Sequence, residues 1–344
     1  VTYSIKAWVE NPNGVVDCNS YNDTSSIDNL VVSLCGTYTL GGEDADFASF
    51  GELATVLNNA GITCPVTINV RDGVYDDKFI VGNVLGNSLT NTITIQGESG
   101  DSSLVRLEHA DYVTNKFIEL TNVAGFTFKD MSFLFSSHQA YYYFNGCDSL
   151  RLISCDIIHI DHQFQYLEVR SCNGLLLENN NLPWVSIYDI DDISSFSSYR
   201  ILNNAIMGRF FRFYASTSSS NLKLLNNTAA NFSPIDIYSD GNPGSVDTVV
   251  VSGNTFNYRQ EYYLYDIDML IVKDNYINDT YFSSSNPSYF ANADSVLRNT
   301  FTSPLSCRYG SPYVAQNRFL KNSSNGNYTS LELRQCSPTV INNY

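Results

Sequence analysis

Two aspartates and an arginine take matching places in neighbouring repeats of this sequence. Asp189, Arg212 and Asp236 lie eight or nine residues after successive copies of a recurring Asn. Aspartates can act as general acid and base or hold calcium, and an Arg can act as a base or clamp an anionic substrate. The set would therefore suit a polysaccharide lyase or a glycoside hydrolase. We favour the simpler interpretation of a surface charge ladder, because stacked parallel strands align such columns by construction.

Aromatic residues form a second candidate site. Runs such as QAYYYFNG and RFFRFYAS fall at similar places in successive repeats, and strand alternation would send half of each run outward. We predict an outward stripe of Tyr143, Tyr166, Tyr214 and Tyr265, on which sugar rings could stack. Tyr also favours strand surfaces by propensity alone. The sequence leaves a binding stripe and simple propensity equally open.

Other catalytic and metal-binding patterns are weak or absent. The run IIHIDHQ places His159 and Asp161 on one face of a strand and His162 on the other, which argues against a single metal site. HExxH, GxSxG, a P-loop and GxGxxG after a strand do not occur. No cofactor is required, although acidic positions on an extracellular surface could bind Ca²⁺.

The charge balance narrows the set of partners. The chain has 344 residues, with 35 acidic and 19 basic side chains and a net charge of −16. Nucleic acid is an unsuitable partner, because binding a phosphate backbone needs clusters of basic residues. An anionic membrane surface is disfavoured for the same reason. The sequence also lacks an apolar run long enough to span a bilayer.

A short phrase recurs along most of the chain. DTVVVSGNTF begins at residue 247 and DMLIVKDNYI at residue 268, and both read apolar, any, apolar, two residues, Asn, any, apolar. From Met131 to Asn343 the phrase returns at intervals of 18 to 27 residues. Between these two, the turn position is held by Cys155, Asn180, Asn204, Asn227, Asn254, Asn275, Asn299 and Asn317. Periods of this length are typical of solenoids.

The spacing of the apolar residues decides which type of solenoid the repeat forms. Apolar residues two apart, rich in β-branched and aromatic types, indicate strands and not helices. We therefore predict an all-β fold, a right-handed parallel β-helix of about 10–12 coils stacked roughly 4.8 Å apart. The Asn column would lie at a turn, where Asn tolerates left-handed backbone, with its amides bonded along the axis. It would serve the architecture and not a binding site.

The chain divides at about residue 36. Residues 1–36 do not follow the repeat and resemble the tail of a preceding β-sandwich domain or a linker, whereas residues 37–344 form the predicted β-helix. A cap helix at about 47–60 is predicted from the capping-box residues Ser49 and Glu52, the apolar spacing after them and Gly61 as terminator. Such a helix would cover the open end of the stacked strands.

The placement of eight cysteines favours disulfides over a metal site. Cys147 and Cys172 are 25 residues apart at equivalent places in adjacent repeats, within reach of a disulfide. Cys35 and Cys64 flank the predicted cap helix, and Cys307 and Cys336 form a third plausible pair. Disulfides imply an oxidising compartment. Cys18 and Cys155 are left over.

One stretch carries a resemblance to a known family. YTLGGEDADFASFGELATVLNNAGITCPVTINVRDGVYDDKF, followed by TNTITIQGESGDSSLVRL, resembles the start of β-helix domains in the pectate-lyase-like superfamily. More narrowly, it resembles such domains in large secreted and surface proteins of Bacteroidota, many exported by the type IX route. The resemblance covers about residues 37–108. It implies the fold, an extracellular location and further domains, but the superfamily contains lyases, hydrolases, esterases and adhesins alike.

These observations lead to two functional hypotheses. The leading one is a non-catalytic, rigid domain of a secreted or cell-surface adhesin that binds an extracellular glycan or a neighbouring surface protein. The alternative is a polysaccharide lyase or glycoside hydrolase that acts on an acidic polysaccharide through the Asp189, Arg212 and Asp236 set.

Overall fold

The structure of this chain is a computed structural model that describes most of its residues. The described residues are 2–10, 14, 23–109, 116–135, 140–158, 165–189, 197–206, 211–215, 220–229, 235–239, 246–257, 261–263, 267–278, 288–291, 293–302, 304–320 and 331–344.

The elements are one helix and a long series of short strands. The first part of the chain contains β1 (Thr2–Trp8), β2 (Thr24–Val31), β3 (Leu34–Leu40), α1 (Phe50–Ala60), β4 (Ile62–Val70), β5 (Gly73–Asp76), β6 (Phe79–Gly82), β7 (Ile93–Gly97), β8 (Val105–His109), β9 (Lys116–Thr121), β10 (Phe126–Lys129), β11 (Ser132–Phe135) and β12 (Ala140–Asn145). The middle part contains β13 (Asp148–Ile153), β14 (Asp156–Ile158), β15 (Gln165–Arg170), β16 (Asn173–Glu178), β17 (Asn181–Leu182), β18 (Trp184–Asp189), β19 (Ser197–Leu202), β20 (Ala205–Ile206), β21 (Phe211–Ala215), β22 (Ser220–Leu225), β23 (Thr228–Ala229) and β24 (Ile235–Ser239). The last part contains β25 (Val246–Ser252), β26 (Thr255–Phe256), β27 (Glu261–Tyr263), β28 (Ile267–Lys273), β29 (Tyr276–Ile277), β30 (Ser288–Ala291), β31 (Ser295–Leu297), β32 (Thr300–Phe301), β33 (Leu305–Arg308), β34 (Tyr313–Ala315), β35 (Arg318–Phe319), β36 (Leu331–Arg334) and β37 (Thr339–Ile341).

From β3 onward the strands form three parallel sheets, and the parallel β-helix predicted from the repeat is confirmed. Sheet A is β3-β4-β7-β10-β13-β16-β19-β22-β25-β28-β31-β34-β37. Sheet B runs from β5 to β35 and sheet C from β6 to β36, each also in steps of three strands. Each coil therefore takes one strand from A, B and C in turn. Sheets B and C have 11 described strands each, which agrees with the expected 10–12 coils.

The repeated phrase is one coil's contribution to the core. Val249 and Val251 in β25 lie directly over Leu270 and Val272 in β28, and all four side chains are fully buried. A single coil has no partner for its inward face, so only the next coil can remove these side chains from water. The period of two along each strand, and the longer period between coils, both follow from this.

The predicted cap helix is confirmed and covers the first coils. Ser49 accepts a hydrogen bond from the Glu52 N–H at 3.2 Å, and Gly61 ends the helix with a positive φ of 68°. The Glu52 carboxylate accepts from the Ala48 N–H at 2.8 Å, so the capping box closes one residue earlier than the standard form. Asn58 also bonds β6, donating to the Ile80 carbonyl and accepting from the Gly82 N–H, both at 3.0 Å. The helix thereby protects the edge of sheet C.

The predicted Asn column forms a continuous hydrogen-bonded ladder at the corner between sheets A and B. In a middle rung, the N–H and Nδ2 of Asn254 both donate to Oδ1 of Asn275 at 2.9 Å, and Nδ2 also donates to the Leu224 carbonyl at 2.8 Å. Its Oδ1 accepts from N and Nδ2 of Asn227 in the coil above. The same pattern joins Asn180, Asn204, Asn227, Asn254, Asn275, Asn299, Asn317 and Asn343. The ladder is structural, as expected.

The left-handed backbone lies one residue before the ladder Asn, and not at the ladder Asn as predicted. Positive φ occurs immediately before each ladder residue, for example 56° at Asn203 and at Asn226, and not at the ladder Asn itself. The preceding residue makes the sharp corner, and the corner turns the ladder amide inward. Small polar residues suit that corner because their side chains tolerate the left-handed region better than most.

The first predicted disulfide is confirmed and the second is not formed. Cys35 and Cys64 are bonded across β3 and β4, where the register of the two strands is irregular. Cys147 and Cys172 are not joined by a disulfide. They lie in one inward column, and Sγ of Cys172 accepts the Cys147 N–H at 3.2 Å, as an Asn Oδ1 does in the ladder. The hydrogen bond from Cys172 lowers the pKa of the Cys147 thiol.

The third predicted disulfide is also absent. Cys307 and Cys336 are free thiols. Cys307 lies within β33 opposite Leu333, whereas Cys336 follows the end of β36, so the two cysteines do not share a register position. Cys155 takes the first place of the Asn ladder, where its N–H donates to Oδ1 of Asn180 at 2.7 Å. Burial raises the pKa of the Cys155 thiol to about 12. Cys18 is outside the described residues.

The N-terminal segment pairs separately from the three sheets. β1 and β2 form an antiparallel hairpin whose Ile5 and Ile27 are cross-strand partners, both more than half exposed. β3 already pairs with β4 and crosses the predicted boundary at residue 36, and the assignment of residues 1–36 to a preceding domain or linker stays a prediction. In the part of the chain that the structure describes, no helix has the length and apolar character needed to cross a bilayer.

Candidate functional site

The candidate site residues that the structure describes lie on strands of sheet C. Along β21, Phe213 is fully buried, while Arg212 and Tyr214 on either side of it are only half-buried. Alternation along a strand sends these two positions to the outer face. Because the coils stack in register, each outer position is repeated on the neighbouring coil, and two adjacent columns result.

The first column, which we call the charged column, contains Arg212. Its register positions are Glu119, Tyr143, Glu168, Ser186, Arg212, Asp236 and Glu261, each the backbone partner of the next. Arg212 and Asp236 are thus on adjacent coils, as the catalytic hypothesis requires. The column is otherwise mostly acidic.

Asp189 does not join them. It ends β18 opposite Ala215, whereas the residue of β18 opposite Arg212 is Ser186. Asp189 is therefore three positions farther along the strand, about 10 Å away at the usual rise per residue. The register therefore places Arg212 and Asp236 on neighbouring coils and Asp189 apart from them, and a catalytic role for the three residues stays a prediction. Asp191, two residues after Asp189 and on the same face of a strand by alternation, lies outside the described residues.

The second column, which we call the tyrosine column, was only partly anticipated. Its register positions are Arg170, Tyr188, Tyr214, Tyr238 and Tyr263 on five successive coils. Four tyrosines thus follow one another along the axis at the spacing of stacked strands, about 4.8 Å.

The four predicted tyrosines do not share one column. Tyr143 lies in the charged column, and only Tyr214 lies in the tyrosine column. Tyr166 pairs with Trp184, two positions before the charged column in β15. Tyr265 is outside the described residues, as are His159, Asp161 and His162.

A short motif in the sequence does mark the missed tyrosines. VSIY, FRFY and IDIY place Tyr188, Tyr214 and Tyr238 directly after an apolar, any, apolar triplet. The triplet is the buried half of a sheet C strand, so a Tyr after it falls on the outer face. Searching for this motif, instead of relying on alternation within the aromatic runs, finds Tyr188 and Tyr238 but not Tyr263.

Ion pairs link the two columns and moderate the charge of the face. Arg170 of the tyrosine column pairs with Glu168 of the charged column, two residues earlier in the same strand. Near the other end, Nε of Arg334 donates to Glu332 at 2.6 Å in the same arrangement. Each Arg offsets a carboxylate of its own coil, so the face is less negative than the acidic column alone suggests.

A cluster of possible metal ligands is absent from the described part of the chain. No group of three or more His, Cys, Asp or Glu side chains there could hold an ion. His109 is instead paired through Nδ1 with Oδ1 of Asp76 at 3.0 Å. The described part of the face therefore offers aromatic and polar contacts and one Arg–Asp neighbourhood.

Comparison with known proteins gives only distant likenesses. No family model and no curated protein matches this chain. Two crystal structures of the pectin methylesterase from Aspergillus niger resemble it. The deglycosylated form has a TM-score of 0.34 and 10% identity over 90% of this chain and 88% of the other. The penultimately deglycosylated form gives 0.33 and 11% over 91% and 87%. Values this low carry no argument about activity, and the fold assignment rests on the strand register.

Proposed function

We propose that this chain is a non-catalytic, rigid β-helix domain of a secreted or cell-surface adhesin, and that the outer face of sheet C binds an extracellular glycan. The observation that carries the proposal is the tyrosine column, which aligns Tyr188, Tyr214, Tyr238 and Tyr263 on consecutive coils. Tyr faces are suitable platforms for sugar rings because they combine an apolar surface with a hydroxyl. The charged column beside them supplies hydrogen-bonding groups for sugar hydroxyls.

The charge of the face favours an uncharged glycan. The net charge of the chain is −16, and Arg170 and Arg334, which lie in the line of the tyrosine column, are paired with carboxylates of their own strands. A polyanionic ligand would meet repulsion that these pairs do not offset. We therefore expect neutral oligosaccharides to bind more tightly than uronic acid polymers.

The location is part of the same proposal. The Cys35–Cys64 disulfide is typical of an oxidising compartment. Secretion to the cell surface, by the type IX route suggested by the resemblance, would place the rod among extracellular glycans and other domains of a larger chain. A neighbouring surface protein is the second kind of partner that this face could serve, and Ca²⁺ could support either contact.

Replacing Tyr214 with alanine tests the binding face. After a glycan array identifies a ligand, isothermal titration calorimetry should show affinity reduced by roughly ten- to a hundredfold, the usual effect of removing a central aromatic contact. The matched control is Tyr276→Ala, an outward tyrosine on sheet B that is 39% exposed. Equal affinity in both variants would contradict the proposal, as would an array with no binding to any glycan.

A polysaccharide lyase or glycoside hydrolase is the second candidate, and one observation favours it. Arg212 and Asp236 are backbone partners on adjacent coils, so an acid and a base or clamp could meet one substrate. If this hypothesis is correct, the protein releases products from an acidic polysaccharide, and Arg212→Ala lowers the rate by at least a hundredfold. Arg318→Ala, an exposed arginine on sheet B, serves as the control. Our proposal expects no product release from either the parent or these variants.

A further inference from the structure

The outer face of sheet A carries a line of basic residues. Along β13, β16, β19 and β22, residues alternate between the core and the outer face. One outward residue from each strand is Arg151, Leu176, Arg200 or Lys223, and each is the backbone partner of the next. We call this line the basic column. Its three cations are exposed to solvent, and they are 49 and 23 residues apart in the sequence, so they form no basic run there.

The cations of the basic column have no carboxylate close by on their own strands. The residues two positions earlier are small and polar, namely Ser149, Ser198 and Asn221. The residues two positions later are aliphatic, namely Ile153, Leu202 and Leu225. Within the described part of the chain, neither arginine of the column nor Lys223 forms an ion pair. Sheet C differs, because Arg170 is paired there with Glu168 of its own strand.

Two of the cations repel each other. Arg200 and Lys223 are direct register partners on adjacent coils, about 4.8 Å apart along the axis. Like charges in this arrangement destabilise a sheet. The chain has 35 acidic side chains, and Glu178 lies on this face one coil before Arg200, yet it forms no ion pair with a residue that the structure describes. Two adjacent, unpaired cations in an acidic protein indicate a site for an anionic ligand.

The backbone of this face favours a polysaccharide over a peptide. β13, β16, β19 and β22 are interior strands of the 13-stranded sheet A, and each is bonded to a strand on both sides. A peptide therefore cannot add a strand here, and its N–H and C=O groups would lose water without gaining partners. A polysaccharide has no peptide backbone to satisfy, since its polar groups are hydroxyls and charged substituents.

The side chains next to the cations also suit sugar rings. Leu202 and Leu225 are half-buried register partners, and they offer an apolar strip to the C–H face of a ring. On the other side of the cations, Ser198 and Asn221 are register partners as well. Their hydroxyl and amide groups can exchange hydrogen bonds with sugar hydroxyls. The face therefore presents polar, cationic and aliphatic groups in three parallel lines.

We propose that the basic column binds a sulfated polysaccharide that lies along the axis of the solenoid. Arg200 and Lys223 hold neighbouring sulfate groups, and Arg151 holds another sulfate two coils away, at about 10 Å. Sulfate suits adjacent cations because one sugar ring can carry several sulfate esters, whereas a uronic acid has a single carboxylate. The site goes beyond the proposed function and is independent of it, since the neutral glycan is expected on sheet C.

Isothermal titration calorimetry with heparin-derived oligosaccharides tests the site. We expect binding at low salt that weakens steeply as salt is added, because exposed charges are screened and bound counterions are released. Arg200→Ala combined with Lys223→Ala should lower the affinity at least about tenfold and flatten the salt dependence. The same oligosaccharides after chemical desulfation keep their carboxylates, and they should bind the parent at least about tenfold more weakly.

The matched control removes the same charge from another sheet. Arg106→Ala combined with Arg318→Ala changes two arginines of sheet B and should leave the heparin affinity within about twofold of the parent. Urea unfolding should show the Arg200 and Lys223 pair of substitutions to be at least as stable as the parent, because it removes a repulsion. If that pair fails to fold, Arg151→Ala decides, with affinity expected to fall about threefold or more.

Four results would overturn the proposal. The first is no binding to heparin-derived oligosaccharides at low salt. The second is an equal loss of affinity in the sheet A and sheet B variants, which would reflect net charge alone. The third is undiminished binding of the desulfated oligosaccharides. The fourth is salt-sensitive association of the chain with itself in sedimentation velocity that the sheet A variant abolishes, which would make an acidic protein surface the occupant.

Discussion

Replacing Asn254 with leucine is expected to lower the free energy of unfolding by about 3–5 kcal/mol. Leucine cannot accept the hydrogen bonds that N and Nδ2 of Asn227 donate to Oδ1 of Asn254. It also cannot donate to the Leu224 carbonyl, which loses its partner from the ladder. All of these groups are buried, so water cannot replace the missing bonds. Each unsatisfied group costs about 1–3 kcal/mol, and the estimate allows for partial relaxation.

Urea denaturation followed by circular dichroism measures the effect. The matched control is Asn203→Gly, which changes an exposed Asn at the left-handed corner before a ladder residue. Glycine adopts that backbone readily, so the control should stay within about 1 kcal/mol of the parent. If the two variants unfold at the same urea concentration, the ladder contributes no more than any surface Asn, and its structural role would have to be abandoned.

The fold could be predicted because the same two periods constrain every coil. Apolar residues two apart specify strands, and recurrence after roughly two dozen residues specifies stacking. The Asn column was predicted as well. The left-handed backbone was predicted at the ladder Asn itself, whereas it occurs at the residue before it. Pairs such as Asn203–Asn204 and Asn226–Asn227 put Asn at both the corner and the ladder position. Both positions favour Asn, so composition alone does not distinguish them.

The candidate site was harder to predict because the number of residues between the ladder Asn and sheet C varies from coil to coil. From the ladder Asn to the first partner in sheet C there are five residues in one coil, Asn180 to Val185. The next two coils have seven, Asn204 to Phe211, and eight, Asn227 to Ile235. Loops accept such insertions without disturbing the register of the strands that follow. Counting from the Asn therefore misplaced Asp189 relative to Arg212 and Asp236.

Cysteine spacing predicted one disulfide correctly, Cys35–Cys64, and two that the structure does not contain. Equivalent positions on adjacent coils bring Cys147 and Cys172 together, but stacked side chains run parallel and one sulfur accepts the other residue's N–H. Cys35 and Cys64 are bonded where the register of β3 and β4 shifts between Leu34 and Gly36. Adjacency in a regular stack permits a bridge, and a local irregularity allows the two side chains to turn toward each other.

Phe50→Ala is expected to remove about 3–5 kcal/mol of stability, concentrated at the capped end. The Phe50 ring is fully buried and packs edge-on against Tyr75 and Phe79, with centroids 5.5 and 6.0 Å away. These rings belong to β5 and β6, the first strands of sheets B and C. Losing Phe50 would leave a cavity between the helix and both sheets.

The loss should be local, because each coil contacts only its neighbours. Hydrogen–deuterium exchange should become faster in α1, β5 and β6, while the coils around the middle of the Asn ladder keep their protection. The control is Asn59→Ala, an exposed position of the same helix. A uniform rise in exchange along the whole chain would show that the solenoid unfolds as one unit. In that case α1 would not be a separable cap.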